Sequence, residues 1–117
     1  MKEEFLHYVW SLGLLAEKEL IADTGEVIQV IHPGTYNTNQ GPDFQNAQVD
    51  IDGTRWVGNI EIHKENKQWI QHGHHTDPFY DNTILHVSLN QNEAIFNSKS
   101  RRIPSITFQI PEGISER

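Results

Sequence analysis

The chain reads as an α+β fold, an N-terminal helix packed on a mixed, largely antiparallel β-sheet with a central hairpin. Three observations predict it. At the start, Phe5, Leu6, Val9, Trp10, Leu12 and Leu14 recur at helical spacing, with Glu3, Glu4 and His7 on or near the other face. Beyond residue 19 the apolar residues fall instead into short alternating or continuous runs bounded by turn residues, as strands require. The runs 44–51 and 54–63 flank Asp52-Gly53, a dipeptide suited to a tight hairpin because glycine takes positive φ without strain.

Taken in order, residues 2–15 form the helix, with Glu3 and Glu4 meeting the positive end of its dipole. Residues 19–22 and 26–31 make a short hairpin around Asp23-Thr24-Gly25, ended by Pro33-Gly34. The stretch 32–42 has no Asp, Glu, Lys or Arg and reads as a long polar loop leading to Asp43. In the central hairpin Val49 faces Trp56 and Ile51 faces Thr54. A short helix follows around 67–71, and Asp77-Pro78 suits an N-cap with proline at the first helical position. Residues 83–90 are a strand, Leu85, Val87 and Leu89 alternating with Ile84, His86 and Ser88. Two last strands, 94–96 and 103–110, flank the polar turn Asn97-Ser98-Lys99-Ser100. Pro104 makes the final strand an edge or delays its start. Trp10, Trp56, Trp69, Phe79 and Tyr80 sit in apolar runs and are expected in the core. Residues 1–112 form one domain, and 113–117 a disordered tail.

Composition narrows the function. Sixteen carboxylates against nine Lys and Arg leave a net charge of −7, which disfavours a large polyanion footprint. The absence of cysteine excludes disulfides and thiolate metal sites. No apolar run reaches spanning length and Met1-Lys2-Glu3-Glu4 lacks a signal-peptide pattern, so a cytoplasmic location without membrane contact is expected. No glycine-rich phosphate loop, nucleophile elbow or dinucleotide fingerprint occurs.

The chemistry concentrates at Asp43, Glu61 and His63. Glu61 and His63 are two apart on a strand and share a face. Two carboxylates suit Mg²⁺ or Mn²⁺, with Asp43 and Glu61 as ligands and His63 orienting or deprotonating a metal-bound water. One geometric condition stands against this. An ideal hairpin closed at Ile51 and Thr54 sets Asp43 against Ile62 and Phe44 against Glu61, on the other face, so the site requires a one-residue bulge or a freely swinging Asp43. A second constellation, His63, His72, His74, His75 and His86, offers imidazoles for Zn²⁺ as the less favoured alternative, if His63, His74 or His75, and His86 converge. Lys99, Arg101 and Arg102 read as a solvated turn.

Several signatures together resemble a bacterial family known as domain of unknown function 2851. They are Glu3 to Trp10, Val30 to Gly34, Asn37-Thr38, Gly41 to Phe44, Gly58 to His63, Trp69, His72-Gly73-His74, Tyr80 and Ile84 to Val87. The likeness runs over residues 2–110 and implies an N-terminal portion of a longer architecture. More distantly, Pro42-Asp43 and Glu61-Ile62 resemble the PD-(D/E)XK nuclease core, which has Pro-Asp opening one hairpin strand and an acidic-x-Lys triplet on the next. That resemblance implies a restriction-endonuclease-like core, Mg²⁺ at Asp43 and Glu61, assistance from Glu4, and nucleic acid as substrate. His63 stands where lysine is expected, and Lys64 points to the opposite face. The expected function is a metal-dependent phosphodiesterase or nuclease-like module. The alternative is a non-catalytic binding or scaffold domain that docks a partner or a C-terminal region.

Overall fold

The computed structural model describes residues 1–15, 18–114 and 116. Helix α1 (Glu3–Ser11) buries Leu6, Val9 and Trp10, the face its apolar spacing marks out. It stops short of residue 15 because Gly13 takes φ 68°, a left-handed termination that leaves Leu12 and Leu14 exposed. The Trp10 Nε1–H donates to the Pro33 carbonyl at 2.9 Å, anchoring the helix across the sheet.

Seven strands follow: β1 (Leu20–Ile21), β2 (Val27–His32), β3 (Thr35–Tyr36), β4 (Phe44–Ile51), β5 (Thr54–Glu65), β6 (Thr83–Asn90) and β7 (Ser105–Thr107). The sheet order is β1-β2-β4-β5-β6-β7, with β3 paired to β4 beside that path. Pairing is antiparallel through β5, while β6 runs parallel to β5 and β7 parallel to β6. A parallel step needs a crossover. It is supplied by α2 (Lys67–Gln71) and two 3₁₀ turns, His74–Thr76 and Pro78–Tyr80. Asp77 caps the second turn through its Oδ1, which accepts the Phe79 N–H at 2.9 Å.

The sheet curls until its edges meet. Asp23, after β1, donates its N–H to the Ser105 carbonyl and accepts the Ser105 N–H at Oδ1, both at 2.9 Å. Its Oδ2 pairs with Arg102 at 3.0 Å. Inside lie Leu6, Trp10, Ile28, Val30, Phe44, Ile60, Ile62, Leu85, Val87 and Ile106. The other face of β5 and β6 is covered by the crossover, where Trp69 packs with Ile95, Ile103 and Tyr80. Both faces are therefore largely covered from Gly58 to His63 of β5 and from Thr83 to Ser88 of β6, and polar residues there need partners from the protein.

Some expectations need correction. Part of the loop 32–42 is strand, Thr35 and Tyr36 pairing with Gln45 and Phe44. Residues 94–96 make only an isolated bridge, Phe96 to Arg102. The last strand is shorter than 103–110 and starts directly after Pro104, as an edge. Trp10 and Trp69 are core residues, but Trp56 and Phe79 are 52% and 68% exposed. Of the expected tail, residues 115 and 117 lie outside the described residues, Ile114 packs on the core, and Glu116 accepts the Lys2 N–H at 2.7 Å.

Candidate functional site

The β4–β5 ladder holds the ideal register from Ile51 opposite Thr54 as far as Ala47 opposite Gly58, and then shifts: Phe44 pairs with Ile60. Two residues, Gln45 and Asn46, thus oppose Asn59 alone, the signature of a β-bulge. Asn46 takes φ 57°, a left-handed conformation that asparagine tolerates better than most residues. Its N–H points to Asn59 Oδ1 at 3.4 Å. Gln45 and Asn46 are both exposed, whereas Phe44 and Ala47 are both buried, so the phase of the strand has reversed. The shift brings Asp43 opposite Glu61, onto the face that Glu61 shares with His63.

The two strands clasp each other there. Asp43 Oδ2 accepts the Ile62 N–H at 2.8 Å, and Glu61 Oε1 accepts the Asp43 N–H at 3.1 Å. Glu61 Oε2 lies 2.9 Å from His74 Nε2 and 3.3 Å from His63 Nε2. Asp43 Oδ2 lies 3.3 Å from His7 Nε2, and the other nitrogen of His7 bonds the Tyr36 hydroxyl at 3.0 Å. Behind the front row, His63 Nδ1 and His86 Nε2 are 2.9 Å apart, and His86 Nδ1 and Ser105 Oγ are also 2.9 Å apart.

Local sequence explains the convergence. Glu61 and His86 are ladder partners in the parallel pair β5–β6, and His63 follows two residues after Glu61. Gly73 takes φ 75° directly after α2, turning the chain so that His72 and His74 come back over β5. The His74 ring is stacked on Tyr80, 3.7 Å between centroids, and meets Trp69 edge-on. The His72 ring lies 5.1 Å from His63 and 5.5 Å from His74, centroid to centroid. Two sets of potential ligand atoms result, His63/His72/His74 and Glu3/His7/Asp43, each within 4.8 Å internally.

The electrostatics divide the two carboxylates. Burial alone would raise the Glu61 pKa, but the His63 and His74 rings beside it outweigh it and hold the group at about 2. Asp43 moves upward, driven first by burial and then by the Glu61 charge, against the pull of His7. Burial opposes protonation of His7, yet Asp43 beside it carries its pKa upward. His86 is pushed down to about 3, mainly by burial, with His63 adding to it. Burial and the neighbouring His63 and His74 lower His72. Tyr80 is pushed up to about 12 by burial and then by Glu61 and Asp43.

Asp43, Glu61 and His63 are therefore brought to one place, with more imidazoles than carboxylates around them. His63, His74 and His86 do converge, but both nitrogens of His86 are engaged, and His72 takes the open position instead. His75 stands apart in a groove with Ile70 and Phe96. Glu4 is exposed, and Glu3 is the helix carboxylate that clusters with Asp43. His7 was assigned no chemical role from sequence. The signal for it was its four-residue spacing from Glu3, which puts both on one helix face.

The fold and this cluster define a small α+β domain with a buried imidazole–carboxylate centre. The chain belongs to the family described as Protein of unknown function (DUF2851), whose model matches residues 3–117. No curated protein and no solved structure matches it. Among the described residues, no helix is long and apolar enough to cross a membrane.

Proposed function

We propose that this domain is a metal-dependent phosphodiesterase of the nuclease type, acting on nucleic acid. Asp43 and Glu61 supply the carboxylate charge for a divalent cation, Mg²⁺ or Mn²⁺ by their oxygen character, with Zn²⁺ the alternative that the imidazoles introduce. His63 takes the side of the ion where the nuclease core has lysine. The bulge at Gln45 and Asn46 carries this reading, because it sets Asp43 against Glu61 on the face of His63 and meets the condition that an ideal hairpin violates. The order of parts supports it: an N-terminal helix, Pro-Asp at the mouth of β4, and the acidic residue on β5. The cation would stabilise charge building on the phosphoryl oxygens.

The test is hydrolysis of bis(p-nitrophenyl) phosphate and of single- and double-stranded DNA and RNA, with each metal, by wild type, Asp43→Asn and Glu61→Gln. Each substitution is expected to cost about 10²–10³-fold in rate, the size of losing one charge-stabilising group. Metal-independent rates, or rates equal to wild type in both variants, refute the reading.

A second reading, a non-catalytic binding module, is favoured by one observation. Trp56 and Val57, 52% and 57% exposed, line a surface groove with Ile84, Arg101 and Pro104.

A further inference from the structure

We infer that His63, His72 and His74, with Glu61, form a binding site for a first-row transition-metal ion of the Zn²⁺ class. This deepens the reading above by naming the ion at the same place, and it rests on that reading only for the reaction, not for the binding.

The first observation is an unpartnered atom. His63 is fully buried at 0% exposure, and its Nε2 has no hydrogen-bond partner among the described residues, although Glu61 Oε2 is 3.3 Å away. A buried ring nitrogen without a partner is costly, and a cation is one way to satisfy it. The nitrogen is aimed into the cluster, because the other face of the residue is tied down. His63 Nδ1 meets His86 Nε2, and His86 Nδ1 meets Ser105 Oγ. When the Nδ1–H of His63 donates to His86, the Nε2 lone pair faces Glu61 and the other imidazoles. That is the outer-shell arrangement by which metal-binding histidines are usually fixed in tautomer and orientation.

The second observation is the spacing. Two ligands on a tetrahedral ion at 2.0–2.1 Å bond length stand about 3.3 Å apart. The distances from Glu61 Oε2 are 3.3 Å to His63 Nε2 and 2.9 Å to His74 Nε2, and the three histidine ligand atoms lie within 4.8 Å of one another. The ring of His74 is held between Tyr80 and Trp69, so this ligand is preorganised. His72 is exposed at the end of α2 and leaves the site open to water on that side.

The third observation is the donor set. Three imidazoles, with the Glu61 carboxylate beside two of them, suit Zn²⁺, Co²⁺ or Ni²⁺ far better than Mg²⁺ or Ca²⁺, which take oxygen ligands. Each ring must offer a lone pair to the ion, so protons compete with the metal and binding should weaken in acid.

The test is calorimetric titration of the chelator-stripped full chain with ZnCl₂ and with MgCl₂, alongside the visible spectrum of added Co²⁺. The expected result is Zn²⁺ binding with one ion per chain, Mg²⁺ binding far weaker, and Co²⁺ bands intensified by four-coordinate geometry. His72→Ala, chosen because that side chain is exposed, should weaken Zn²⁺ binding by at least the 10–100-fold (roughly) that loss of an outer-shell partner costs. Ser105→Ala removes only the far end of the orienting chain and should cost about tenfold. Zn²⁺ binding no tighter than Mg²⁺, or unchanged in His72→Ala, overturns the site. Tight Zn²⁺ binding without hydrolysis of any phosphodiester leaves the site standing and removes the proposed function. Mg²⁺-supported hydrolysis together with Zn²⁺ binding no tighter than Mg²⁺ does the reverse.

Discussion

His86 provides a quantitative test of how the buried imidazole chain is built. It is fully buried on β6, bonded to His63 on β5 and Ser105 on β7, with the Trp69 ring of α2 5.8 Å away. Glu61 and His74 also act on it, the first favouring its proton and the second opposing it. Burial dominates and holds its pKa at about 3, while an unfolded chain has histidine near 6.5 (approximately). Between these values the unfolded state binds a proton that the folded state refuses, so stability falls as pH falls. The slope is about 1.4 kcal/mol per pH unit, and going from pH 7 to pH 5 should cost about 2 kcal/mol through this residue alone. His72, also lowered, acts in the same direction, and His7, raised, acts against it. Both persist in His86→Gln, which keeps a polar side chain but does not titrate. Urea unfolding of both proteins at pH 7 and pH 5, with chelator present, isolates the difference. Wild type should lose about 2 kcal/mol more than His86→Gln over that interval, whatever the substitution costs at pH 7. An equal loss in the two proteins would show that His86 takes up a proton in the folded state and would refute the argument.

Two further outcomes follow from packing and turn chemistry. A Cβ at Gly58 would collide with Ile84 Cγ2 and lie 2.9 Å from the Asn82 carbonyl, so Gly58→Ala should cost about 1–3 kcal/mol; an unchanged urea midpoint would mean that the start of β6 yields freely. Asn97 is 7% exposed and its Oδ1 accepts the N–H groups of Lys99 and Arg101 at 2.9 and 3.0 Å, so Asn97→Ala should cost about 1–3 kcal/mol, seen as a thermal midpoint several degrees lower.

Local signals carried much of this fold. The strand at Thr83–Asn90, the short helix Lys67–Gln71, the Asp77 cap and the pairing of Val49 with Trp56 all follow from patterns within a few residues. Asp52-Gly53 also located the central turn, and with it the register conflict at Asp43. The resolution of that conflict was not local. Nothing in Gln45-Asn46 marks a bulge by itself; burying Phe44 beside Ile60 while keeping Ala47 buried beside Gly58 is what requires the extra residue. The parallel edge strand β7 was illegible for a related reason, since its direction is fixed by the Asp23–Ser105 closure across 82 residues. The site split along the same line. Asp43, Glu61 and His63 share one hairpin and were legible together, whereas His7, His72 and His74 arrive from α1 and the crossover, and only the tertiary path determines which histidines point inward.

The pairing of Asp43 with Glu61 gains its meaning from how differently the two are held. Both are partly or wholly buried and both accept a backbone N–H from the facing strand, so their ordinary affinities for a proton should be similar. Their side-chain neighbours separate them. Glu61 faces His63 and His74 and stays ionised down to about pH 2, while burial, and after it the Glu61 charge, moves Asp43 upward against the pull of His7. On the proposed reading Glu61 is the fixed anion of the pair. In the metal-free protein the sign follows directly. The stability that Glu61 contributes is present above about pH 4.5, its unfolded range, and is lost as pH falls toward about 2, whereas Asp43 works in the opposite sense.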